Sequence, residues 1–210
     1  LHVDGAMAGS AAVCPELRWV NDGLDRADSY AFNPHKWLFT NFDCTCFWVA
    51  DRGALLSSLS ILPEYMRNEA SASGAVIDYR DWHVPLGRRF RALKLWWVLR
   101  YYGARGIRHH ISEHLRLAAE LARRVDDEPA LRRIAPVHFS LVSFSHRDGD
   151  AATDALVAAI NATPNVYVTP SRVDDRLFIR VAVGQTTTSA ENVDQVWEVI
   201  DHELAKASSA

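Results

Sequence analysis

The sequence predicts an α/β segment followed by a small α+β domain. Three observations favour this fold class. A short apolar strand opens the chain and ends at Asp4. Two amphipathic helical patterns follow one another over residues 88–102 and 106–125. Residues 139–205 then alternate strand and helix patterns. A part of a larger α/β domain, followed by antiparallel strands with helices on one side, satisfies all three observations.

Composition excludes several classes of protein. The chain has 210 residues, 49% of them hydrophobic, and a net charge of −3. It can therefore fill real cores, and it has no electrostatic reason to bind nucleic acid. No apolar run approaches the ~20 residues of a membrane-spanning helix. Three cysteines without a regular framework indicate reduced packing thiols in a cytoplasmic protein, and we expect no metal site.

The first residues place Asp4 where a ligand-binding site is expected. Leu1-His2-Val3 reads as a buried strand already under way, so we expect the chain to be the C-terminal part of a longer protein. Asp4 follows the strand, and ligands gather at the carboxyl ends of strands in open α/β sheets. The small, Gly-rich run over 5–10 suits close approach of the backbone to a ligand. The next expected elements are a short strand within 24–32, a strand over 45–49 and a helix over 51–58.

Residues 60–80 differ in character. Their small polar run is typical of a mobile loop, and Tyr65 places a titratable hydroxyl beside it. Pro85-Leu86-Gly87 then opens a helix predicted over 88–102, which Gly103 ends. Apolar residues at helical spacing predict its buried stripe, namely Phe90, Leu93, Trp97 and Tyr101.

The remaining elements complete the small domain. The second helix, 106–125, is amphipathic, and Pro129 breaks its pattern. The expected strands are 139–145, 166–169 and 177–183, and the expected helices are 154–162 and 191–205. His110 and His114 lie one helical turn apart, which favours a solvated helix face over a metal site because no general base lies between them.

Lys36 is the residue with the most informative surroundings. It stands in an otherwise apolar, aromatic segment after an Asn-Pro turn. A buried lysine costs free energy unless it pairs or loses its charge, and burial lowers the pKa of its amine. A Schiff base with an aldehyde cofactor would use such an amine, and Asp4 could hold a pyridinium nitrogen. The alternatives are an ordinary surface lysine and an Asx-turn aspartate.

Two neighbouring features have structural alternatives as well. His35, directly before the lysine, could be a packed core histidine. The arginine cluster from Arg88 to Arg91 lies at a helix start, where the helix dipole is also positive. Such a cluster needs an anion or a carboxylate nearby, and a structural salt bridge would satisfy it equally.

These motifs resemble the pyridoxal-phosphate-dependent group II decarboxylases, in particular the aromatic-L-amino-acid decarboxylases. The most specific stretches are Asn33-Pro34-His35-Lys36-Trp37 and Pro85-Leu86-Gly87-Arg88-Arg89-Phe90-Arg91. Further matches are Leu-His-Val-Asp-Gly-Ala at 1–6, Asn-Phe-Asp-Cys at 41–44 and Asp-Tyr-Arg-Asp-Trp-His at 78–83. The resemblance runs to about Leu204 and weakens after Arg116.

The resemblance implies a fold and a cofactor site. Residues 1–93 would be the C-terminal portion of the large domain of a fold type I pyridoxal phosphate (PLP) enzyme, and 94–210 its small α+β domain. Lys36 would be the Schiff-base lysine, with Asp4 as pyridinium partner and Ala6 against the ring. Asn33 would help to hold the phosphate, and His35 would lie beside the cofactor as a catalytic residue.

The resemblance also implies the reaction. Tyr65 matches the tyrosine that gives a proton to the substrate carbon after CO2 leaves, and a phenylalanine there goes with aldehyde-forming relatives. A phenol can donate a proton, whereas a phenyl ring cannot, so Tyr65 favours the amine product. Gly87 and Arg88 are assigned to the substrate pocket. Glycine at position 87, where histidine and plant tyrosine decarboxylases often carry serine, favours a bulky aromatic L-amino acid.

Two departures and several alternatives remain. Gly5 replaces the usual alanine, and Met7 replaces a frequent aromatic residue, which would alter the pocket wall. Relatives work as homodimers with the active site at the interface and use an N-terminal half, so we expect these 210 residues to be inactive alone. The alternatives are decarboxylation of histidine or another amino acid, an aldehyde-forming reaction, and a non-catalytic fragment.

Overall fold

A computed structural model describes residues 1–61, 73 and 76–208 of the chain. The chain divides into two compact units, Leu1–Ala104 and Arg105–Ala210. The domain assignment 1–93 and 94–210, made from the sequence, stays a prediction. Tyr65 and most of the expected mobile loop lie outside the described residues.

The first unit contains a three-stranded mixed sheet. Its strands are β1 (His2–Asp4), β2 (Ser29–Phe32) and β3 (Cys46–Val49), hydrogen-bonded in that order. β1 pairs with β2 in parallel, and β3 pairs with β2 in antiparallel orientation. The three strands expected in this part of the sequence are confirmed, but the expected burial of the first is wrong, because Leu1, His2 and Asp4 are exposed and Val3 is half-buried. Because β1 and β2 are parallel, their carboxyl ends meet at one edge of the sheet.

Helices of several kinds connect and flank these strands. Three 3₁₀ helices that the sequence did not predict lie between β1 and β2: Ala8–Val13, Pro15–Asn21 and Leu24–Arg26. Helix α1 (Pro34–Trp37) follows β2, and α2 (Arg52–Leu59) follows β3. A further 3₁₀ turn covers Tyr79–Trp82. The helix expected over 51–58 is thereby confirmed.

The glycines after Asp4 make room for side chains of β2. A Cβ atom on Gly5 would lie 2.8 Å from Cε2 of Tyr30. A Cβ on Gly9 would lie 2.5 Å from Cβ of Phe32 and would also collide with the Tyr30 hydroxyl. The expectation that this Gly-rich run approaches a ligand stays a prediction, and in this structure the run closely approaches the two aromatic side chains.

Helix α3 (Arg91–Asp127) is a long helical run that Gly103 interrupts with φ 61° and ψ 175°. The break at Gly103 is confirmed, but the helix begins at Arg91 and not at Arg88. The expected buried stripe is wrong. Its four residues are exposed, and Phe90 and Tyr101 have exposed fractions of 76% and 81%. Helical spacing shows which residues share a face, but it does not show whether anything packs on that face.

The second unit is a four-stranded antiparallel sheet with helices. Its strands are β4 (Leu131–Arg133), β5 (Leu141–His146), β6 (Thr169–Val173) and β7 (Arg176–Ala182), in the spatial order β4-β5-β7-β6. Helices α4 (Asp150–Asn161) and α5 (Ala190–Ser208) complete it. Val142, Phe144 and Ile179 of the sheet join residues from the helices in one buried cluster. The expected α+β class is confirmed.

Two strands of this unit differ from expectation. The strand expected over 166–169 is wrong, because the ladder begins only at Thr169 and runs to Val173. Asp174 and Asp175 have positive φ and close the tight turn into β7, a role typical of aspartate. The short strand β4 was missed, since its three residues lack a periodic pattern.

The expected solvated face at His110 and His114 is wrong for His114. Its side chain is 1% exposed, and Nε2 donates to the Gln185 carbonyl oxygen at 2.9 Å. Burial lowers the pKa of this imidazole, with the Gln185 contact opposing the shift.

Several sequence expectations concern features of the whole chain. Cys14 and Cys44 are buried, as expected of packing residues. Within the described ranges, no cluster of three or more candidate metal ligands occurs. In the same part of the chain, no helix is both long and apolar enough to cross a membrane.

Candidate active site

Asp4 ends β1, and Lys36 lies in the helix that follows the adjacent parallel strand β2, at the same edge of the first sheet. Asp4 is paired in register with Ala31 of β2. Beyond this pair, Gly5 N–H donates to the Ala31 carbonyl at 2.8 Å, and Asn33 N–H donates to the Ala6 carbonyl at 3.0 Å. The segments that carry Asp4 and Lys36 are therefore joined by backbone hydrogen bonds where the two strands end.

Helix α1 presents Lys36 to solvent. Pro34 begins the helix, where a missing N–H costs nothing, and Lys36 N–H donates to the Asn33 carbonyl at 2.9 Å. Trp37 is 1% exposed and anchors the helix in the first unit. Successive helical residues point about 100° apart, so the buried Trp37 leaves Lys36 outside.

This position corrects the expectation of a buried lysine. Lys36 is exposed, and within the described residues no carboxylate pairs with it. Of the aromatic neighbours that suggested burial, Trp37 is buried, whereas Tyr30, Phe32 and Phe39 are half-buried.

Asp4 forms a local turn, which is the structural alternative to a role in binding a cofactor. Its Oδ1 accepts a hydrogen bond from Ala6 N–H at 2.8 Å, two residues along the chain. This is an Asx-type turn. It fixes the direction of the carboxylate and occupies one oxygen. The second oxygen keeps its capacity to accept a proton or a hydrogen bond.

Asn33 is held by a residue that sequence reasoning missed. The Thr45 hydroxyl donates to Asn33 Oδ1 at 2.8 Å. Asn33 occupies the N-cap position of α1, but its side chain makes no capping hydrogen bond there. Within the described residues, its amide nitrogen has no hydrogen-bond partner, so two N–H groups remain as donors.

His35 contacts the backbone of Cys44 in two ways. Its Nδ1 lies 3.0 Å from Cys44 N and 2.7 Å from Cys44 O. A neutral ring with an unprotonated Nδ1 accepts from Cys44 N–H, whereas a protonated Nδ1 donates to the carbonyl oxygen. Phe42 packs edge-on against the same ring, with centroids 4.9 Å apart. His35 Nδ1 can therefore form a hydrogen bond with the Cys44 backbone whether or not it carries a proton.

An ion pair holds the segment that contacts His35. Arg91 donates from Nε and from Nη2 to Asp43 Oδ2, at 3.0 and 2.9 Å. This hydrogen bonding lowers the pKa of the Asp43 carboxyl to about 2. The structural salt bridge considered for the arginine cluster is thus confirmed for Arg91. The Asn-Phe-Asp-Cys motif was the available signal for Asp43, although its partner lies 48 residues away.

Not every expected site residue joins this group. The structure brings together Asp4, Ala6, Asn33, His35 and Lys36. Gly87 and Arg88 are exposed in the stretch before α3. Within the described residues, no hydrogen bond or ion pair joins them to that group. A Cβ on Gly87 would meet no atom within 4 Å.

The groups at this edge match the functional groups of pyridoxal phosphate. An accessible primary amine suits an aldehyde, a carboxylate with an available oxygen suits a pyridinium nitrogen, and free amide N–H groups suit a phosphate. An α/β sheet with these residues at its strand ends, in a chain that also contains a small α+β unit, defines the class of fold type I PLP enzymes.

Comparisons with known proteins identify the family within that class. The model of the pyridoxal-dependent decarboxylase conserved domain matches residues 1–147, and the chain belongs to this family. The resemblance seen in the sequence motifs is thereby confirmed.

Individual relatives give the same assignment. The aromatic-L-amino-acid decarboxylase of Rattus norvegicus is 40% identical over 200 residues, which are 95% of this chain and 42% of the relative. The phenylacetaldehyde synthase of Arabidopsis thaliana is 39% identical over 211 residues, covering 97% and 43%. A crystal structure of Oryza sativa TDC with PLP and tryptamine superposes with a TM-score of 0.92 at 39% identity, covering 98% and 44%. The chain thus spans about two fifths of the length of these proteins.

Proposed function

We propose that the protein catalyses PLP-dependent decarboxylation of an aromatic L-amino acid, releasing CO2 and the corresponding amine. The observation that carries this proposal is the placement of Asp4 and Lys36 at the carboxyl ends of adjacent parallel strands, which the backbone hydrogen bonds of Gly5 and Asn33 join. Membership of the decarboxylase family supports the reaction type.

Each site residue has a distinct role in this proposal. Lys36 Nζ would hold the cofactor by condensing with its aldehyde, with loss of water, and would exchange it for the substrate amine. Asp4 would accept a hydrogen bond from the protonated ring nitrogen and keep that nitrogen cationic, and Ala6 would border the ring. Asn33 would donate its amide hydrogens to the phosphate, and His35 would border the cofactor. When bound, the cofactor ring takes up the electron pair left when CO2 departs.

Tyr65 is the proposed proton donor to the substrate carbon after CO2 loss. This supports the amine as product, because a phenol can donate a proton. The aldehyde-forming alternative is kept, since a relative at 39% identity is named a phenylacetaldehyde synthase. A product analysis that finds aldehyde and ammonia in place of amine would select this alternative.

Gly87 and the relatives support the proposed substrate class. Glycine at position 87 leaves room, since nothing lies within 4 Å of an added Cβ. We assign Gly87 and Arg88 to the pocket of tryptophan-, DOPA-, tyrosine- or phenylalanine-type substrates. Turnover with a panel of these amino acids, histidine and acidic amino acids tests the assignment. Preference for histidine or an acidic substrate contradicts it.

We also propose a cytoplasmic homodimer with the active site at the interface. The 210 residues alone are expected to lack turnover, because they span about two fifths of their relatives. Expression of this chain by itself and an assay for CO2 release test that statement. Measurable decarboxylation would contradict it.

The central experiment is a cofactor titration of the full chain and of Lys36→Ala. Addition of PLP to the parent chain should produce a visible absorption band from the covalent lysine adduct. Lys36→Ala should lose that band, and Lys94→Ala on α3 is a matched control that should keep it. An unchanged spectrum for Lys36→Ala excludes the lysine as anchor. Absence of any band in the parent chain favours the non-catalytic alternative.

A further inference from the structure

The segment Asp43–Thr45 contacts two residues that precede Lys36 in the chain, Asn33 and His35. Cys44 contacts His35 through its backbone, and Thr45 contacts Asn33 through its hydroxyl. The ion pair of Asp43 with Arg91 fixes the start of the same segment. Asn33 and His35 are both contacted by this segment. The contact with His35 uses the Cys44 backbone, whereas the contact with Asn33 joins two side chains.

The direction of this hydrogen bond decides which end of the Asn33 amide remains available. The Thr45 hydroxyl carries the only hydrogen between Oγ1 and Oδ1, so it donates and Oδ1 accepts at 2.8 Å. The amide nitrogen then keeps two N–H donors for another ligand. The opposite orientation would direct the amide oxygen outward, where it would repel an anion.

We propose that Thr45 is a positioning residue that orients Asn33 so that its amide N–H groups face the cofactor phosphate. The inference rests on the proposed function, which assigns the phosphate contact to Asn33. Thr45 itself touches Asn33 and not the cofactor. Its effect should therefore be confined to ligands that carry the phosphate.

The test compares two ligands that differ only in that group. Binding of PLP and of pyridoxal, which lacks the phosphate, is measured by visible absorbance in the full chain. Thr45→Val removes the hydroxyl at nearly constant volume on an exposed side chain. It should weaken PLP binding about five- to tenfold, the effect of one hydrogen bond, and leave pyridoxal binding within about twofold.

Three further variants make the result specific. Thr45→Ser keeps the hydroxyl and should restore PLP affinity. Thr187→Val changes an exposed threonine in the second unit and should bind both ligands as the parent does. The double variant Asn33→Ala, Thr45→Val should bind PLP as weakly as Asn33→Ala alone, because Thr45 acts through Asn33.

The outcomes separate this inference from the proposed function. Equal weakening for both ligands, or additive effects in the double variant, overturns the role of Thr45. A loss of PLP affinity in Asn33→Ala without any in Thr45→Val overturns the inference and leaves the proposed function intact. No effect of Asn33→Ala on PLP binding overturns both the inference and the assignment of Asn33 on which it rests.

Discussion

Arg91 and Asp43 form an ion pair in which two guanidinium nitrogens converge on one carboxylate oxygen, at 3.0 and 2.9 Å. The pair connects the first residue of α3 to the segment that contacts His35 and Asn33. Because the hydrogen bonds from Arg91 lower the pKa of Asp43 to about 2, the ion pair has a defined response to acid.

We expect Asp43 to titrate near pH 2, which an NMR titration of its carboxyl carbon can measure. The carboxyl of an unfolded chain titrates near ~3.9. The folded-state pKa is depressed, so the stabilisation is complete above about pH 4 and is lost as the pH falls through about 2. In Arg91→Gln the titration should move back towards ~3.9, whereas Arg88→Gln should leave it unchanged. A parent titration near pH 4 would contradict the pairing.

His114 predicts a second pH dependence, in the small domain. Burial lowers its folded-state pKa below the ~6.5 of an unfolded chain, while Glu113 opposes and His110 adds to the shift. Stability should therefore be complete above about pH 6.5 and decline as the pH falls towards the lower folded-state pKa. Thermal unfolding followed from pH 8 to pH 5 measures this decline.

Substitution of His114 separates its hydrogen bond from its titration. His114→Leu removes one of two donors to the Gln185 carbonyl, which also accepts from Thr188 N–H at 3.0 Å, and should cost about 0.5–1.5 kcal/mol at pH 8. It should also flatten the decline below pH 6.5. His109→Gln, at an exposed neighbouring position, should keep both the stability and the decline. A decline of equal size in His114→Leu would assign the pH dependence to other groups.

Gly9 predicts a steric effect on stability. An added Cβ would lie 2.5 Å from Cβ of Phe32 and would collide with the Tyr30 hydroxyl, so the strand β2 or the 3₁₀ helix must shift. Gly9→Ala should therefore lower the free energy of unfolding by about 1–3 kcal/mol, measured with urea. Gly87→Ala, where nothing lies within 4 Å, should change it by less than about 0.5 kcal/mol. Equal effects of the two substitutions would contradict the packing argument.

Substitution of Tyr65 should change the reaction product and leave cofactor binding unchanged. Tyr65→Phe removes the proposed proton donor, so in aerated buffer part of the turnover should divert from amine to aldehyde and ammonia, with dioxygen as the two-electron oxidant that becomes hydrogen peroxide. Chromatography of the products after incubation of the complete enzyme, which adds the N-terminal part found in relatives, with an aromatic L-amino acid measures the ratio. The cofactor absorption band should stay unchanged, and an unaltered amine yield would remove Tyr65 from the proton-transfer step.

The sequence was sufficient to predict the edge that carries Asp4 and Lys36. Asp4 ends one short strand and Lys36 lies four residues beyond the end of the next, and strand ends can be predicted from local composition. The exposure of Lys36 was not predictable in the same way, because aromatic neighbours in sequence indicate burial of a segment but not of each side chain. The predicted buried stripe on α3 was wrong for a related reason. Periodicity shows which residues share a helix face, but it does not show what packs against that face.

The missed contacts all join residues that are distant in sequence. Thr45 meets Asn33 across 12 positions, Asp43 meets Arg91 across 48, and His114 meets Gln185 across 71. A polar residue that is buried because it finds one distant partner looks, in sequence, like any polar residue on a solvated face. Tertiary pairing of this kind cannot be deduced from local pattern.

The register of the short β1–β2 ladder determines which residues lie together at its carboxyl end. Its register matches His2 with Ser29, Val3 with Tyr30 and Asp4 with Ala31. A slip of one residue would turn the Asp4 carboxylate to the opposite face of the sheet and separate it from the lysine helix. Insertions in the 3₁₀-helical segment between the two strands should therefore be tolerated during evolution or engineering. A single-residue insertion inside either strand should abolish the activity of the enzyme.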